Sequence, residues 1–298
     1  MRYLDPKNDL IFKRVFGEHA NILKSFLNAL LPLEVDQVIQ NIDYLPTELV
    51  PELPMIIKNS IVDVRCEDNK GRQFIVEMQM LWTDSFKSRV LFNAAKAYVR
   101  QLDKGVEYSG LQPVYALSIV NEIFDDDAEN YYHHYRLVHN EDSHKIIEGL
   151  QLVFVELPKF KPKNIIEKKL NVLWLRYLSE IENGTEMIDE TLLKDLMSVP
   201  EIAQALELTK ESAYTKAELE AYDRYWDTIR TERTLIADAE AKGKKEGFEM
   251  GTQKGKIEGK KEFVLKSFDN NIEISVISTI TDLTMEEVRS ILSDNKRL

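Results

Sequence analysis

The stretch SIVDVRCEDNKGRQFIVEMQM, residues 60–80, predicts two β-strands joined by a tight turn. The residues Asn-Lys-Gly at 69–71 fit a three-residue hairpin loop that ends with glycine in the left-handed conformation. That loop sets a register in which Asp63 lies directly opposite Glu77, so both side chains share one face of the hairpin. Gln79 follows two positions later and points the same way. The register therefore predicts a pair of carboxylates in a sheet, flanked by an amide.

This pair of carboxylates needs a positive partner. Two facing acids repel each other unless they share a proton or bind a cation. Oxygen ligands at this spacing suit Mg²⁺, with Mn²⁺ as the alternative, because the nearby sequence offers no histidine and no second cysteine. A hydrogen-bonded polar pair at the end of a sheet is the competing interpretation, and the hairpin alone leaves both open.

The segment after the hairpin, residues 84–105, predicts a helix with one polar and mostly cationic face. That face is formed by residues at spacings of four, three and four, namely Arg89, Asn93, Lys96 and Arg100. The other face is apolar and is expected to pack on the sheet beside the hairpin. The cationic face would then border the two acids, which is the arrangement that phosphodiester cleavage requires. The alternative is that this cationic face of the helix is only exposed to solvent.

The order of elements predicts an α/β fold followed by helices. Residues 1–160 give the order α–β–β–β–α–β, with two added strands at 131–139 and 150–157. The sequence PKFKP at 158–162 marks a boundary, and beyond it the predicted elements, including those at 164–181 and 189–198, are all helical. We expect three parts, which are a first domain at 1–160, a helical domain at 161–235 and a tail at 236–298.

The tail contains a short-period repeat of glycine. Five glycines recur every four residues, at Gly243, Gly247, Gly251, Gly255 and Gly259. Each glycine inside a helix costs about 1 kcal/mol relative to alanine, so a plain surface helix would not be expected to keep them. They indicate either close packing of this helix on a second copy of the chain, forming a dimer, or a frayed and charged linker.

Composition limits the function classes. The 298 residues have a formal net charge of −12, which argues against a protein that coats nucleic acid through bulk charge but leaves room for a nuclease with a local basic groove. No apolar run reaches the roughly 18 residues that a membrane span needs, and the first residues carry no signal-peptide pattern. Cys66 is a single cysteine, which suits a reducing compartment, so we expect a cytoplasmic location.

Several motifs together resemble a known family of nucleases. The sequences are NDLIFKRVFG at 8–17, IVDV and IVEMQM in the hairpin, SRVLFNAAKAYVRQLDKGVEYSGLQPVYALSI after it, and VELPKF near residue 160. They resemble the Rpn family of recombination-promoting nucleases, or putative transposases, within the PD-(D/E)XK nuclease superfamily. The similarity covers about residues 1–160. It implies a restriction-endonuclease-like αβββαβ core and Mg²⁺-dependent cleavage of DNA.

The resemblance assigns roles to the hairpin residues. Asp63 matches the metal-binding aspartate, and Glu77 matches the acid of the (D/E)XK pair. Gln79 stands where the superfamily usually has lysine, which is typical of the Rpn branch, and it is expected to orient water or phosphate rather than to supply charge. Lys96 or Lys13 would provide the missing cation from a helix.

The resemblance also covers both flanking helices. Asp9 matches an acidic position that assists the metal in many relatives, although it equally fits a helix-start residue paired with Lys13. Arg89 and Tyr98 match the pattern of the second helix, where Arg89 and Lys96 would hold the scissile phosphate. We expect four residues to contact the DNA, namely Arg89, Lys13, Tyr98 and Arg100.

Two functions of different classes fit the sequence. The first is an Mg²⁺-dependent DNA endonuclease that is associated with recombination or mobile elements and acts as a homo-oligomer, without a membrane partner. The second is a weakly active or inactive relative that serves as a DNA-binding or protein-interaction module, which the glutamine at position 79 and the net charge favour. A nuclease toxin controlled by a partner on the C-terminal helices is a more remote third.

Overall fold

The computed structural model describes residues 2–49, 60–102, 107–161, 169–182 and 188–298. Within it the chain has a mixed α/β fold and forms two compact units, Met1–Arg230 and Thr231–Leu298. The predicted helix end at Gly105, the boundary residue Pro162 and the predicted helix start at 164–168 lie outside the described residues. The division at residues 160 and 235 stays a prediction.

The first unit begins with two short helices that pack under the sheet. Helix α1 spans Asp9–Gly17 and helix α2 spans Ala20–Leu30. The side chain of Asn8 caps α1 by accepting a hydrogen bond from the Leu10 amide. The apolar residues of α1 recur at helical spacing and are fully buried, namely Ile11, Phe12, Val15 and Phe16. Burial of that face leaves Asp9 and Lys13, one turn apart, on the more exposed side.

Eight strands follow in chain order within the described residues. They are β1 Ile42–Tyr44, β2 Glu48–Leu49, β3 Ser60–Ile61, β4 Val64–Asp68, β5 Gln73–Gln79, β6 Val114–Val120, β7 Tyr132–His139 and β8 Asp142–Glu156. Six of them form one sheet in the order β1-β4-β5-β6-β8-β7, and β2 pairs with β3 separately. The central pairs β5–β6 and β6–β8 are parallel, whereas the outer pairs are antiparallel. This mixed sheet confirms the predicted fold class.

The β4–β5 hairpin has the register that its sequence predicts. Val64 pairs with Val76 and Cys66 pairs with Phe74, and Gly71 has a φ of 77° in the turn. Continuation of this register by one step sets Asp63, immediately before β4, opposite Glu77. The hairpin sequence therefore determines which two acids meet.

One helix covers the hairpin. Helix α3 spans Phe86–Val99, which is shorter than the predicted segment 84–105. Its buried side packs on a cluster from β5, β6 and β8, and the residues that form this contact are Val90, Ala94, Ala97, Ile75, Ala116 and Phe154. This packing sets the rotation of α3 about its axis, so Arg89 and Asn93 lie above the end of β5.

The rest of the first unit is helical. Helices α4 Leu170–Glu180, α5 Glu190–Met197 and α6 Pro200–Leu208 pack with α2 on the other face of the sheet. Trp174 is fully buried, with its ring 5.5 Å from that of Phe26. The sequence predicts α4 and α5, but α6 is an additional helix.

The second unit contains most of a long helix and two short ones. Helix α7 spans Lys216–Asp269, and helices α8 Ile274–Thr281 and α9 Met285–Asp294 fold on its end around a small apolar cluster. All five repeat glycines lie inside α7, and a Cβ atom added at any of them would meet nothing within 4 Å in the described structure. No helix in the described ranges is long and apolar enough to cross a membrane.

Candidate active site

Asp63 and Glu77 occupy the end of the hairpin that faces α3. The Asp63 Oδ2 atom accepts a hydrogen bond of 2.7 Å from the Met78 amide, which ties the loop before β4 to strand β5. The side chain of Asp63 is 24% exposed, whereas that of Glu77 is only 8% exposed. One acid is thus open to solvent and its neighbour is nearly enclosed.

Glu77 has one oxygen that is satisfied and one that is not. Its Oε1 atom accepts a hydrogen bond of 3.0 Å from the Asn93 side-chain amide on α3. Its Oε2 atom is buried and has no hydrogen-bond partner within the described structure, and the Arg89 Nη2 atom lies 4.0 Å away. A buried carboxylate oxygen without a donor is costly unless it gains a proton or a cation.

The environment shifts the ionisation of both acids. Burial, and after it the charge of Asp63, raise the pKa of Glu77 to about 7 against the lowering effects of Arg89 and the Asn93 hydrogen bond. Burial also raises the pKa of Asp63, against the lowering effects of the Met78 amide and Lys13. Near neutral pH the pair therefore holds a proton readily, and a bound cation would compete for the same place.

Gln79 holds the nearest cation of α3. Its Oε1 atom accepts a hydrogen bond of 2.7 Å from the Arg89 Nη2 atom, and its Nε2 atom donates to the Leu81 carbonyl. The Arg89 guanidinium also lies 4.8 Å from the centre of the Phe86 ring. The glutamine thus orients a positive charge that comes from the helix, beside Glu77.

Asp9 and Lys13 lie on the open side of the acid pair. The Lys13 Nζ atom is 2.7 Å from Asp9 Oδ1 and 4.0 Å from Asp63 Oδ1, so the lysine bridges two acids. Both residues line a groove of about 460 Å³ together with Arg14 and Glu218. No group of three or more acid, histidine or cysteine side chains in the described residues is arranged to hold a metal. The pairing of Asp9 with Lys13 is present, and its role in metal binding stays a prediction.

The remaining predicted residues lie further along α3. The Lys96 Nζ atom donates to the Leu49 carbonyl on β2 over 2.8 Å. The Tyr98 ring packs beside Gly149 on β8, where an added Cβ atom would come within 3.4 Å of the ring. Arg100 follows the last residue of α3. The structure brings Asp63, Glu77, Gln79 and Arg89 together, with Asp9 and Lys13 at their edge, and the other three residues lie apart from the acids.

Sequence reasoning did not identify two contacts of this site. It placed Asn93 on the polar face of α3 without a partner, and it did not foresee that Gln79 would bind Arg89. The spacing carries part of the signal, because Arg89 and Asn93 are four residues apart and must project from the same side of a helix. Their distance to β5 follows only from the packing of α3.

The sheet, the covering helix and the paired acids form an α/β protein with a candidate acidic site, and comparison with known families identifies its class as that of a nuclease. A family described as PD-(D/E)XK nuclease family transposase matches residues 6–239. The chain therefore belongs to this family, which confirms the resemblance drawn from its motifs. No curated protein and no solved structure matches the chain significantly.

Proposed function

We propose that this protein is an Mg²⁺-dependent DNA endonuclease that hydrolyses phosphodiester bonds, in recombination or in mobile elements. Membership of a nuclease family supports the nuclease class. The observation that carries the proposal is the Glu77 Oε2 atom, which is buried beside Asp63 and Arg89 and accepts no hydrogen bond from the described residues. A divalent cation between the two acids would satisfy this atom.

The donor set fits a hard divalent cation. Asp63 and Glu77 offer carboxylate oxygens, which are the ligands that Mg²⁺ and Mn²⁺ prefer. Asp9 is a third acid, close enough for its charge to raise the pKa of Asp63. We assign Asp63 and Glu77 as the holders of the metal and Asp9 as an outer contributor. When bound, the metal supplies a water of lowered pKa and neutralises charge on the phosphate.

The chain's own residues prepare the site. The Met78 amide and the Asn93 side chain each fix one oxygen of the two carboxylates, which leaves the other oxygen of each acid for a cation. Gln79 holds Arg89 in position, and Arg89 would bind the scissile phosphate from the side of α3. Lys13 stands 4.0 Å from Asp63 and would contact an adjoining phosphate.

Further DNA contacts and assembly extend this proposal. Lys96, Tyr98 and Arg100 continue along α3 and would contact the DNA backbone beyond the catalytic pair. The glycines of α7 would pack against α7 of a second copy in a dimer. We keep the cytoplasm as the expected location and residues 236–298 as the segment for assembly.

A plasmid-nicking assay with Mg²⁺ tests the proposal. Wild-type protein is expected to nick the plasmid, and Asp63→Asn and Glu77→Gln, which remove a charge and keep the shape, are expected to lower the rate at least about 1,000-fold. Asp43→Asn, an exposed acid on β1, makes the same charge change away from the site and is the matched control. Equal cleavage by wild type and all three variants would place the activity elsewhere or in a contaminant. An RNA substrate of the same sequence tests the choice of DNA.

The second candidate function is a DNA-binding or protein-interaction module with little activity. The presence of Gln79 in place of a lysine supports it, because glutamine cannot stabilise negative charge as a cation does. It would be favoured if purified protein binds DNA but neither wild type nor any variant cleaves it with Mg²⁺ or Mn²⁺.

A further inference from the structure

Each acid of the candidate site has a cation of the chain at the same distance. The Lys13 Nζ atom on α1 lies 4.0 Å from Asp63 Oδ1, and the Arg89 Nη2 atom on α3 lies 4.0 Å from Glu77 Oε2. Neither cation donates a hydrogen bond over this distance, because N–H···O bonds in proteins span about 2.7–3.2 Å. Two positive charges from different helices therefore compensate the acid pair without binding it directly.

Lys13 approaches the oxygen of Asp63 that remains for a metal. The Asp63 Oδ2 atom accepts the 2.7 Å hydrogen bond from the Met78 amide, whereas Oδ1 is the atom that lies near the ammonium of Lys13. A divalent cation held by Asp63 and Glu77 would use this same Oδ1 atom. The ammonium and a bound metal would therefore compete for one carboxylate oxygen.

Asp9 holds Lys13 beside the acid pair. Its Oδ1 atom lies 2.7 Å from Lys13 Nζ, one turn away on α1, so the ammonium has a partner of its own next to Asp63. Phe12 and Phe16 on the other side of α1 are fully buried and fix the position of the helix. The backbone at Lys13 is thus held by the core, and its side chain is the part that can move.

The lysine side chain has room to leave Asp63. It is 44% exposed and lines the groove of about 460 Å³ beside α1. A lysine carries a compact charge on a flexible four-carbon stem, so its ammonium can turn from one acceptor to another. Arg89, in contrast, is tied to Gln79 by a hydrogen bond of 2.7 Å. Of the two cations beside the acids, Lys13 is the one that is readily displaced.

We propose that Lys13 is a stand-in cation for the metal and couples metal binding to DNA binding. In the metal-free protein its ammonium compensates the charge of Asp63. When Asp63 holds a divalent cation, the ammonium is repelled, turns outward and binds a phosphate of the DNA. The assignment rests on the proposed nuclease function, and it gives Lys13 a role that neither a plain phosphate contact nor a surface ion pair with Asp9 provides.

This exchange makes the metal and the DNA cooperative ligands. Without the metal, Lys13 serves either Asp63 or the phosphate but not both, so DNA binding costs the contact with Asp63. With the metal bound, that contact is already lost and the ammonium is available to the phosphate. The metal should therefore strengthen DNA binding, and DNA should strengthen metal binding by the same factor.

Titration with Mn²⁺ in the absence of DNA tests the competition for Asp63. Isothermal calorimetry at pH 8 measures the affinity of wild type, Lys13→Gln and Lys13→Arg for Mn²⁺. Lys13→Gln is expected to bind Mn²⁺ about tenfold more tightly, because it removes a positive charge near the ligand oxygen. Lys13→Arg is expected to bind like wild type, since it keeps the charge. Lysine, glutamine and arginine have similar helix propensities, so all three proteins should fold, which their melting temperatures check.

The affinity for a short DNA duplex tests the coupling. A gel mobility shift measures it in EDTA and in Ca²⁺, which takes the same oxygen ligands, and the gel also separates intact duplex from any cleaved DNA. The affinity in Ca²⁺ relative to that in EDTA is expected to be about tenfold smaller for Lys13→Gln than for wild type, because the variant has no ammonium to exchange. A lysine that only contacted phosphate would change both affinities equally and leave this ratio as it is.

Lys145→Gln is the matched control. Lys145 on β8 also pairs with an aspartate, since its Nζ atom lies 3.4 Å from Asp142 Oδ2, and its side chain is 72% exposed. Phe154 of β8 lies level with Glu77 across β6, and Lys145 stands nine residues before Phe154, which is about 30 Å along the strand. Lys145→Gln is expected to leave the Mn²⁺ affinity and the ratio of DNA affinities unchanged.

The two proposals fail by different results. Mn²⁺ affinity in Lys13→Gln that is equal to or weaker than that of wild type would overturn the stand-in role. An unchanged ratio of DNA affinities in Lys13→Gln, or the same change in Lys145→Gln, would also overturn it. None of these results would affect the proposed nuclease, which depends on Mn²⁺ binding and nicking that disappear in Glu77→Gln. A wild-type protein that binds Mn²⁺ no better than Glu77→Gln would overturn both proposals.

Discussion

Arg89 on α3 and Gln79 on β5 are joined by a hydrogen bond of 2.7 Å, and the donor nitrogen lies 4.0 Å from Glu77 Oε2, the oxygen that accepts no hydrogen bond from the described residues. The superfamily usually has lysine at position 79. Here Gln79 instead orients the Arg89 cation, which belongs to helix α3. The charge is present at the site even though residue 79 carries none. Loss of lysine from the motif therefore does not by itself imply loss of catalysis.

Arg89→Gln is expected to lower the single-turnover cleavage rate by about 100-fold or more, because it removes the charge that we propose binds the scissile phosphate. Gln79→Ala is expected to cost less, about tenfold, since Arg89 remains but loses its orientation. The double variant should be no worse than Arg89→Gln, because the glutamine acts through the arginine. Lys87→Gln is the control, as Lys87 is an exposed cation of α3 that lies over the Phe124 ring.

The result that would contradict this view is additive loss in the double variant. It would mean that Gln79 contributes to cleavage without Arg89, for example by orienting water. A rate for Lys87→Gln as low as that for Arg89→Gln would show that any cation on this helix has the same effect.

Asn93→Ala is expected to move the acid limb of kcat/KM to higher pH. The Asn93 hydrogen bond lowers the pKa of Glu77, which burial raises to about 7, so its loss leaves a still higher pKa. The ionised form of Glu77 would then be reached only at higher pH. A pH–rate profile from pH 5.5 to 9 measures this shift, which a merely structural role would not produce. A uniform loss of rate at every pH would contradict the positioning role.

The stability of the metal-free protein should depend on Glu77. Between the usual glutamate pKa of 4.5 and the folded value of about 7, the folded state binds more protons than the unfolded chain, so the free energy of unfolding falls as pH rises. In the Glu77→Gln variant, this fall in the free energy of unfolding with rising pH is absent. It is expected to be more stable than wild type at pH 8 by up to about 3 kcal/mol, and similar at pH 4.5.

Thermal unfolding in EDTA at both pH values measures this difference, with Asp43→Asn as the control. Addition of Mg²⁺ at pH 8 is expected to raise the melting temperature of wild type and to leave that of Glu77→Gln almost unchanged. Stability of Glu77→Gln below that of wild type at pH 8 would show that the carboxylate is stabilised in the fold without a metal.

The hairpin was predictable because its information is local. Alternation and the glycine turn fix the register of β4 on β5, and the register alone decides that Asp63 meets Glu77. The position of α3 was not predictable in this way. Its rotation depends on how its alanines and Val90 fit between β5, β6 and β8, so the contacts of Asn93 and Arg89 appear only in the folded structure.

The missed helix has a different cause. Helix α6, Pro200–Leu208, is short, and it follows α5 almost directly. The proline at the first position of α6 is a sequence signal for the start of a helix. The apolar residues of α6 follow a helical period over only two turns. A pattern this short does not distinguish a separate helix α6 from the end of α5 by sequence alone.

Asp9→Asn distinguishes the two roles open to Asp9. An acid that assists the metal from outside its ligands typically contributes 10- to 100-fold to metal affinity, so the Mg²⁺ concentration for half-maximal cleavage is expected to rise about tenfold. Asp63→Asn should show no saturable Mg²⁺ dependence. An unchanged Mg²⁺ titration in Asp9→Asn would leave only its pairing with Lys13, 2.7 Å away.

Replacing three glycines of α7 by alanine tests the proposed dimer. The variant carries Gly247→Ala, Gly251→Ala and Gly255→Ala, and no described atom lies within 4 Å of the added Cβ positions. Each alanine should stabilise the helix by about 1 kcal/mol, so helix content and melting temperature of this segment should rise. If two copies pack backbone to backbone through these glycines, the same change keeps them apart.

Light scattering is therefore expected to show a dimer for wild type and a monomer for the triple variant, despite its more stable helix. A control that replaces Thr252, Gln253 and Lys256 of the same helix by alanine should remain a dimer. Opposite changes in helix stability and assembly are the signature of the proposed contact, because helix propensity alone would raise both or leave assembly unaffected. A wild-type monomer, or a triple variant that stays dimeric, would contradict the assignment of these glycines to an interface.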